Sequence, residues 1–208
     1  FFDNVNHGKL LKQLWTMGIR DKKLLSILSA MLKAEVAGIG FPEKGTPQGG
    51  IISPLLSNVV LNELDWWIAS QWEDFPTEHQ YKEQINKGGG PRKGNKYRAL
   101  RTSSLKEITG VRYADDFLIF TRNFQDAVKI FHATKDWLSK RLSLEISPEK
   151  SKIINLKEDY ADYLGFKFRV VKRGQKKGKK SKYNRKDFRW TIESHIKDKA
   201  LTKITRNL

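Results

Sequence analysis

The chain has no cysteine among its 208 residues. That excludes a disulfide framework and any zinc site built on thiolates, and it fits a reducing compartment. No apolar run approaches the roughly 20 residues a bilayer-spanning helix needs, so no membrane partner is expected. No secretory pattern opens the sequence, which begins at Phe1-Phe2. Acidic residues vanish from one stretch: Lys167 to Lys186 holds eleven lysines and arginines and no aspartate or glutamate.

The rest of the composition belongs to a folded protein. Hydrophobic residues make up 38% of the chain and there are six tryptophans, enough for a real core in one domain or one large lobe. The formal net charge is +17 and the pI is near 9.9. Setting the basic stretch aside leaves +6 on the other 188 residues. A basic excess clustered in this way favours a polyanion, with phosphate contacts as its outlet, over a basic membrane-surface module.

Along the chain, Asp3 to His7 can cap a helix running from about Gly8 to Gly18, with Leu10, Leu11, Leu14 and Trp15 at helical spacing. Asp21 caps a second helix, whose buried side is expected to be Leu24, Leu25, Ile27, Leu28, Met31 and Leu32. Val36 to Phe41 is Gly-rich and extended, and Gly45-Thr46-Pro47-Gln48-Gly49-Gly50 is a loop. Ser53-Pro54 opens a long helix reaching about Trp72, with proline in the first turn. Residues 73–105 are polar, carry Gly88-Gly89-Gly90-Pro91, and read as a surface insertion. Asp126 to Leu142 is an amphipathic helix, and Ser143 to Leu156 holds a short strand and a turn at Ser147-Pro148-Glu149-Lys150. Tyr163 to Phe168 suits a strand and turn, Phe188 to Ile192 another strand, and Ser194 to Leu208 a helix start. This order points to an α+β fold with helices on one face of an antiparallel sheet.

Tyr113-Ala114-Asp115-Asp116 sets two adjacent carboxylates between apolar runs, Ile108 to Tyr113 and Phe117 to Phe120. The pattern reads as strand, tight turn, strand, with both acids at the tip. Carboxylates there can hold a hard cation such as Mg²⁺ through oxygen. An acidic spot in a basic protein is the charge pattern of a polymerase, whose bulk attracts nucleic acid while the acids gather metal ions. A single acidic pair also caps helices and sits in solvated turns, so the order of the other segments carries weight. Gly45 to Asn58 precedes the pair, with Gly50 65 residues before Asp115. Phe1 to His7 comes earlier still, and Tyr163-Leu164-Gly165-Phe166 follows.

With these parts in this order, the chain resembles the reverse-transcriptase palm of proteins encoded by bacterial group II introns, over essentially its whole length apart from residues 73–105. The resemblance implies an RNA-directed DNA polymerase that copies RNA into DNA and also binds intron RNA to assist splicing, the maturase role. It implies that Asp115 and Asp116 are the catalytic carboxylates, holding two Mg²⁺ ions for nucleotidyl transfer. Phe2 matches the aromatic gate that excludes a 2′ hydroxyl, while Gln48, Gly49 and Tyr113 match positions beside template and nucleotide. Tyr163, Leu164, Gly165 and Phe166 match the hairpin supporting the primer end, and Lys150 and Lys152 fall where the family has a proton-donating lysine. Lys172, Arg173, Lys176, Lys177, Lys179, Lys180 and Lys182 are the expected RNA-binding cations. The implied partners are intron RNA, an RNA template with a DNA primer, and deoxynucleoside triphosphates, in a bacterial cytoplasm. A homodimer contact through residues 73–105 is a further expectation.

The sequence also departs from the family. The first metal-binding aspartate of the family stands five residues before the position of Phe2, which falls ahead of Phe1, and Asp3 matches a different position. The expectation is therefore a fragment that is inactive alone: a palm over residues 1–193, and the start of a thumb helix over 194–208. Two other readings share the motifs. One is an RNA-binding splicing cofactor whose polymerase activity is dispensable, and the other is a domesticated reverse transcriptase serving repair or defence. The intact acid pair favours an active parent, because a pure binder needs no metal site.

Overall fold

Helix α1 (His7–Thr16) starts where the Asn6 side chain accepts from the backbone N–H of Lys9 at 2.9 Å. Helix α2 (Lys22–Leu32) starts at Asp21, whose carboxylate accepts from the N–H groups of Lys23 and Leu24. Such caps satisfy donors that have no partner inside the helix. These elements belong to a computed structural model, which describes residues 2–36, 40–46, 50–81, 84–85, 89, 91–173 and 189–197. It divides into two compact units, Phe1–Ser151 and Lys152–Leu208.

The first unit is built around α3 (Ser53–Gln71), which has Pro54 in its first turn and is apolar on several sides. Leu56, Val60, Leu61, Leu64 and Ile68 are buried along it and form one core with Leu10 and Leu14 of α1 and Leu28 and Leu32 of α2. Each such aliphatic side chain removed from water contributes about 1.5–3 kcal/mol. A hairpin of β3 (Ile108–Tyr113) and β4 (Asp116–Thr121) lies on α3, in antiparallel register from Ile108↔Thr121 to Tyr113↔Asp116. Helix α5 (Phe124–Trp137) packs on β4, is capped by Asn123, and continues into a π-helical turn at Leu138–Leu142. Trp67 of α3 stacks on Trp137 with ring centroids 5.3 Å apart.

The segment between α3 and β3 is more ordered than its polar composition suggests. It contains a two-residue ladder of β1 (Gln84–Ile85) with β2 (Pro91–Arg92), then α4 (Gly94–Thr102). Leu100 of α4 is buried, and Tyr97 packs its ring 4.9 Å from that of the buried Trp72. The surface insertion expected over 73–105 is thus docked through its second half, and α4 turns its apolar side inward. No observation supports a homodimer contact there. The α2 reading also changes: Leu28 and Leu32 are buried, but Leu24, Ile27 and Met31 are exposed. The apolar arc of α2 is wider than the surface that packs against it.

The second unit is a three-stranded antiparallel sheet in the order β5 (Ala161–Tyr163), β6 (Phe166–Arg173), β7 (Arg189–Ile196). The described strands form three sheets, every pairing in them antiparallel, and with the helices they make the expected α+β fold. Residues 194–196, expected to open a helix, complete β7 instead. Ser194 pairs with Phe168 and Ile196 with Phe166, extending the period-two pattern of Trp190 and Ile192. The strand expected within Ser143–Leu156 does not form. That stretch forms no ladder: Val170 N–H of β6 donates to Leu156 O at 2.8 Å without a paired register, and its turn closes with Ser151 N–H donating to Ser147 O at 3.0 Å. Among the described residues no helix is long and apolar enough to cross a membrane.

Candidate active site

The β3–β4 turn is as tight as a hairpin allows. Tyr113 pairs with Asp116, leaving Ala114 and Asp115 as the two turn residues. Ala114 takes φ = 52°, a left-handed value that two-residue hairpins favour because it matches strand twist. For a residue with a Cβ this conformation costs about 1–2 kcal/mol. Asp115 ends the turn and Asp116 begins β4, and both are exposed, as is Tyr113 beside them.

Alternation along β3 decides what anchors this turn. Ile108, Gly110 and Arg112 share the face toward α3, and Thr109, Val111 and Tyr113 share the other. Gly110 lets the strand approach closely: a Cβ there would stand 2.8 Å from Cγ2 of Ile68. Arg112 donates from Nε and Nη2 to the two carboxylate oxygens of Asp65, at 2.8 and 2.6 Å. Its Nη1 donates to Asn58 Oδ1 at 2.9 Å and to the backbone oxygen of Ala114 at 2.7 Å. A cavity of about 220 Å³ beside this cluster is lined by Asp65, Ile68, Gly110 and Phe117 among others.

Arg112, Asp65 and Asn58 were not among the residues singled out in the sequence, although a signal existed. An arginine at an inward position of a half-buried strand needs a carboxylate, and α3 offers few. One of them, Glu63, is already held: it accepts from Gln13 of α1 and from Arg141 of the π-turn. Burial pushes the Glu63 carboxyl upward, but the hydrogen bonds from Arg141 and Gln13 and the charges of Arg141 and Lys9 together hold it below its ordinary value.

Upstream, the chain entering the Gly45–Gly50 loop is tied to the N-terminal segment. His7 is buried, and its Nε2–H donates to the backbone oxygen of Gly45 at 2.6 Å. Gly45 N–H in turn donates to Val5 O at 2.7 Å. Gln48 and Gly49 lie outside the described residues, and so does the side chain of Phe2, whose backbone sits in the 3₁₀ turn Phe2–Asn4. Lys150 is exposed in the turn after Ser147, and Lys152 is exposed as well.

Within the second unit, Tyr163-Leu164-Gly165-Phe166 forms another two-residue hairpin turn. Leu164 (φ 49°) and Gly165 (φ 81°) are both left-handed, and Lys197 N–H donates to Gly165 O at 2.9 Å. Lys172 is exposed on β6, across from Trp190, over whose ring Lys157 Nζ stands 4.9 Å from the centroid. Arg169 is engaged by Glu193 at 2.8 Å, so the expected RNA-binding set beginning at Lys172 starts past it. The side chain of Arg173, and all of Lys176, Lys177, Lys179, Lys180 and Lys182, lie outside the described residues.

The donor chemistry of the first turn fits a hard divalent cation: two exposed carboxylates, adjacent in sequence, on a stiff turn. Among the described residues no group of three or more His, Cys, Asp or Glu is placed to complete a metal site.

A family model described as reverse transcriptase (RNA-dependent DNA polymerase) matches residues 1–168. The chain is 30% identical over 210 residues to the group II intron-encoded protein LtrA of Lactococcus lactis subsp. cremoris, a match covering 83% of this chain and 34% of that protein. It is 28% identical over 176 residues to protein YkfC of Escherichia coli, covering 77% of this chain and 42% of that protein. It is 26% identical over 204 residues to the putative COX1/OXI3 intron 2 protein of Saccharomyces cerevisiae, covering 82% and 23%. The chain thus spans about a third of the length of LtrA.

Proposed function

Because the chain belongs to the reverse transcriptase (RNA-dependent DNA polymerase) family, we propose that it is the palm segment of an RNA-directed DNA polymerase of the group II intron-encoded kind. The observation that carries this reading is the β3–β4 turn, which presents Asp115 and Asp116 to solvent from a hairpin fixed on α3. Two Mg²⁺ ions held by their carboxylate oxygens would supply activation of the primer 3′ oxygen and charge stabilisation on the leaving pyrophosphate. The protein's own part is placement. The hairpin sets Asp115 in its turn and Asp116 at the start of β4, and Tyr113 borders them with an exposed ring; in the second unit, the Tyr163–Phe166 turn would support the primer end. Phe2, Gln48 and Gly49 would contact nucleotide and template, and Lys150 or Lys152 would deliver a proton to pyrophosphate.

The second activity, binding intron RNA to assist splicing, is favoured by the basic excess concentrated between Lys167 and Lys186. The partners of the whole protein are then an RNA template with its DNA primer, deoxynucleoside triphosphates and intron RNA, within a bacterial cytoplasm. A domesticated reverse transcriptase would carry the same motifs but show no preference for intron RNA over unrelated RNA of equal length.

The test is made in the longest natural reading frame that contains this chain. Asp115→Asn and Asp116→Asn should each abolish cDNA synthesis on a primed RNA template while RNA affinity stays within about twofold, since that affinity rests on cations meeting phosphate. Synthesis that survives either change rules out the assignment of the acids.

A further inference from the structure

We infer that Arg112 is the positioning residue of the acidic turn. It pins Asp115 and Asp116 to α3, while Asp65 keeps its guanidinium charge from competing with the cations those acids bind. The inference rests on the polymerase reading of Asp115 and Asp116.

Three observations converge on Arg112. Four hydrogen bonds leave its side chain, which is only 12% exposed, and they use most of the five donors a guanidinium has. One of them ends on the carbonyl of Ala114, the strained residue that bends the turn. A fixed donor at that carbonyl holds a left-handed backbone that Ala114 would not adopt by itself. The other bonds end on Asn58 and Asp65, two points along α3. The fork therefore spans from helix to turn, and no single-point cation can reproduce that geometry.

The charge arrangement matters equally. A free guanidinium three residues from Asp115 would draw that carboxylate into an ion pair and lower its affinity for Mg²⁺. Instead both oxygens of Asp65 face Nε and Nη2, so the positive charge is met on the helix side. The turn receives from Arg112 only a hydrogen bond to a neutral carbonyl, and Arg112 makes no ion pair with either acid. Outer groups that orient metal ligands in this way commonly change metal affinity 10–100-fold when removed.

The experiment compares Arg112→Ala, Arg112→Lys, Asp65→Asn and Asn58→Ala with Asp115→Asn, all in the longest natural reading frame containing the chain. It measures kcat and KM for deoxynucleotide, the Mg²⁺ concentration giving half-maximal rate, Mn²⁺ binding by paramagnetic resonance without substrate, and thermal unfolding. Arg112→Ala should lower kcat about a hundredfold, the scale of a misplacement near 1 Å, with KM changed less than about threefold. Mn²⁺ binding should weaken about tenfold in the same protein. Arg112→Lys should behave like Arg112→Ala, and a full rescue by lysine overturns the inference. Asp65→Asn should raise the half-maximal Mg²⁺ concentration by an amount that shrinks at high salt, because an uncompensated charge is screened. An effect indifferent to salt overturns the charge argument. If Arg112→Ala does not fold, Asn58→Ala decides: it removes one anchor and should give a smaller loss in kcat and Mn²⁺ affinity, and wild-type values in both overturn the inference. If Arg112→Ala matches wild type while Asp115→Asn abolishes synthesis, the inference fails and the polymerase reading stands. Should Asp115→Asn retain synthesis, the underlying reading fails first.

Discussion

Replacing Gly110 with alanine should separate the hairpin from its helix. The added Cβ would meet Ile68 Cγ2 at 2.8 Å, Cδ1 at 3.4 Å and Cβ at 3.6 Å. Carbon atoms in good contact stand about 3.5–4.0 Å apart, so the first distance is short by about 0.7–1.2 Å. Ile68 is buried, and a β-branched side chain in a helix has essentially one rotamer, so it cannot swing aside. The strain must be taken up by the spacing between α3 and β3, at about 1–3 kcal/mol for an overpacked site. That is a sizeable share of the 5–15 kcal/mol by which a domain is usually stable. The assay is urea unfolding, reading the midpoint at constant slope. In an Ile68→Ala background Cγ2 and Cδ1 are gone and the nearest remaining atom is at ordinary contact. There the Gly110→Ala change should be neutral or should stabilise by about 0.5–1 kcal/mol, because glycine weakens strand interiors. The two changes must therefore couple with opposite sign in the two backgrounds. A Gly110→Ala protein as stable as wild type, or equal effects in both backgrounds, would refute the reasoning.

Three further outcomes are expected. Leu64→Ala, at a fully buried position of α3, should destabilise by about 3–5 kcal/mol in the same unfolding assay, through lost burial and the cavity left behind. The Glu107 carboxyl is held below its ordinary value of 4.5 chiefly by the hydrogen bond from Arg101, with burial opposing and the charges of Arg101 and Arg122 assisting. Its contribution to stability is thus fully present above that value and is lost as the pH falls through the lower folded value, so Glu107→Gln should show a shallower decline in urea midpoint across that acid window. Changing Lys172, Lys176, Lys177, Lys179, Lys180 and Lys182 to glutamine should weaken RNA binding and flatten its dependence on salt, by up to about four in the log–log slope for single strands if all six meet phosphate. An unchanged slope would mean that the run is solvated and touches no RNA.

Local signals were readable in the sequence, and long-range partners were not. Asn6, Asp21 and Asn123 occupy the cap positions, all three side chains that favour such places. Both tetrapeptides, Tyr113–Asp116 and Tyr163–Phe166, fold as the two-residue hairpins that their flanking apolar runs suggest. Helix α4 went unread because its sequence, Gly94 to Thr102, is polar and basic; Tyr97 and Leu100 commit it, and the ring that Tyr97 packs on, Trp72, is distant in sequence. The exposed side of α2 was misread because periodicity shows that a face is apolar without showing that anything covers it. In the candidate site, the acids announce themselves by type and spacing. Arg112 does not, since its meaning depends on Asp65 lying opposite, 47 residues earlier.

The segment after α3 has a closed neck. Asp74 and Lys93 pair at 3.1 Å, and Trp72 and Tyr97 pack together just behind them. Doubling the length of chain between Asp74 and Lys93 would add only about 0.6 kcal/mol of closure entropy. This makes the exposed positions Glu78 to Gln80 a natural graft point. An affinity tag, a fluorophore or a foreign RNA-binding loop placed there should leave the geometry of the β3–β4 turn untouched.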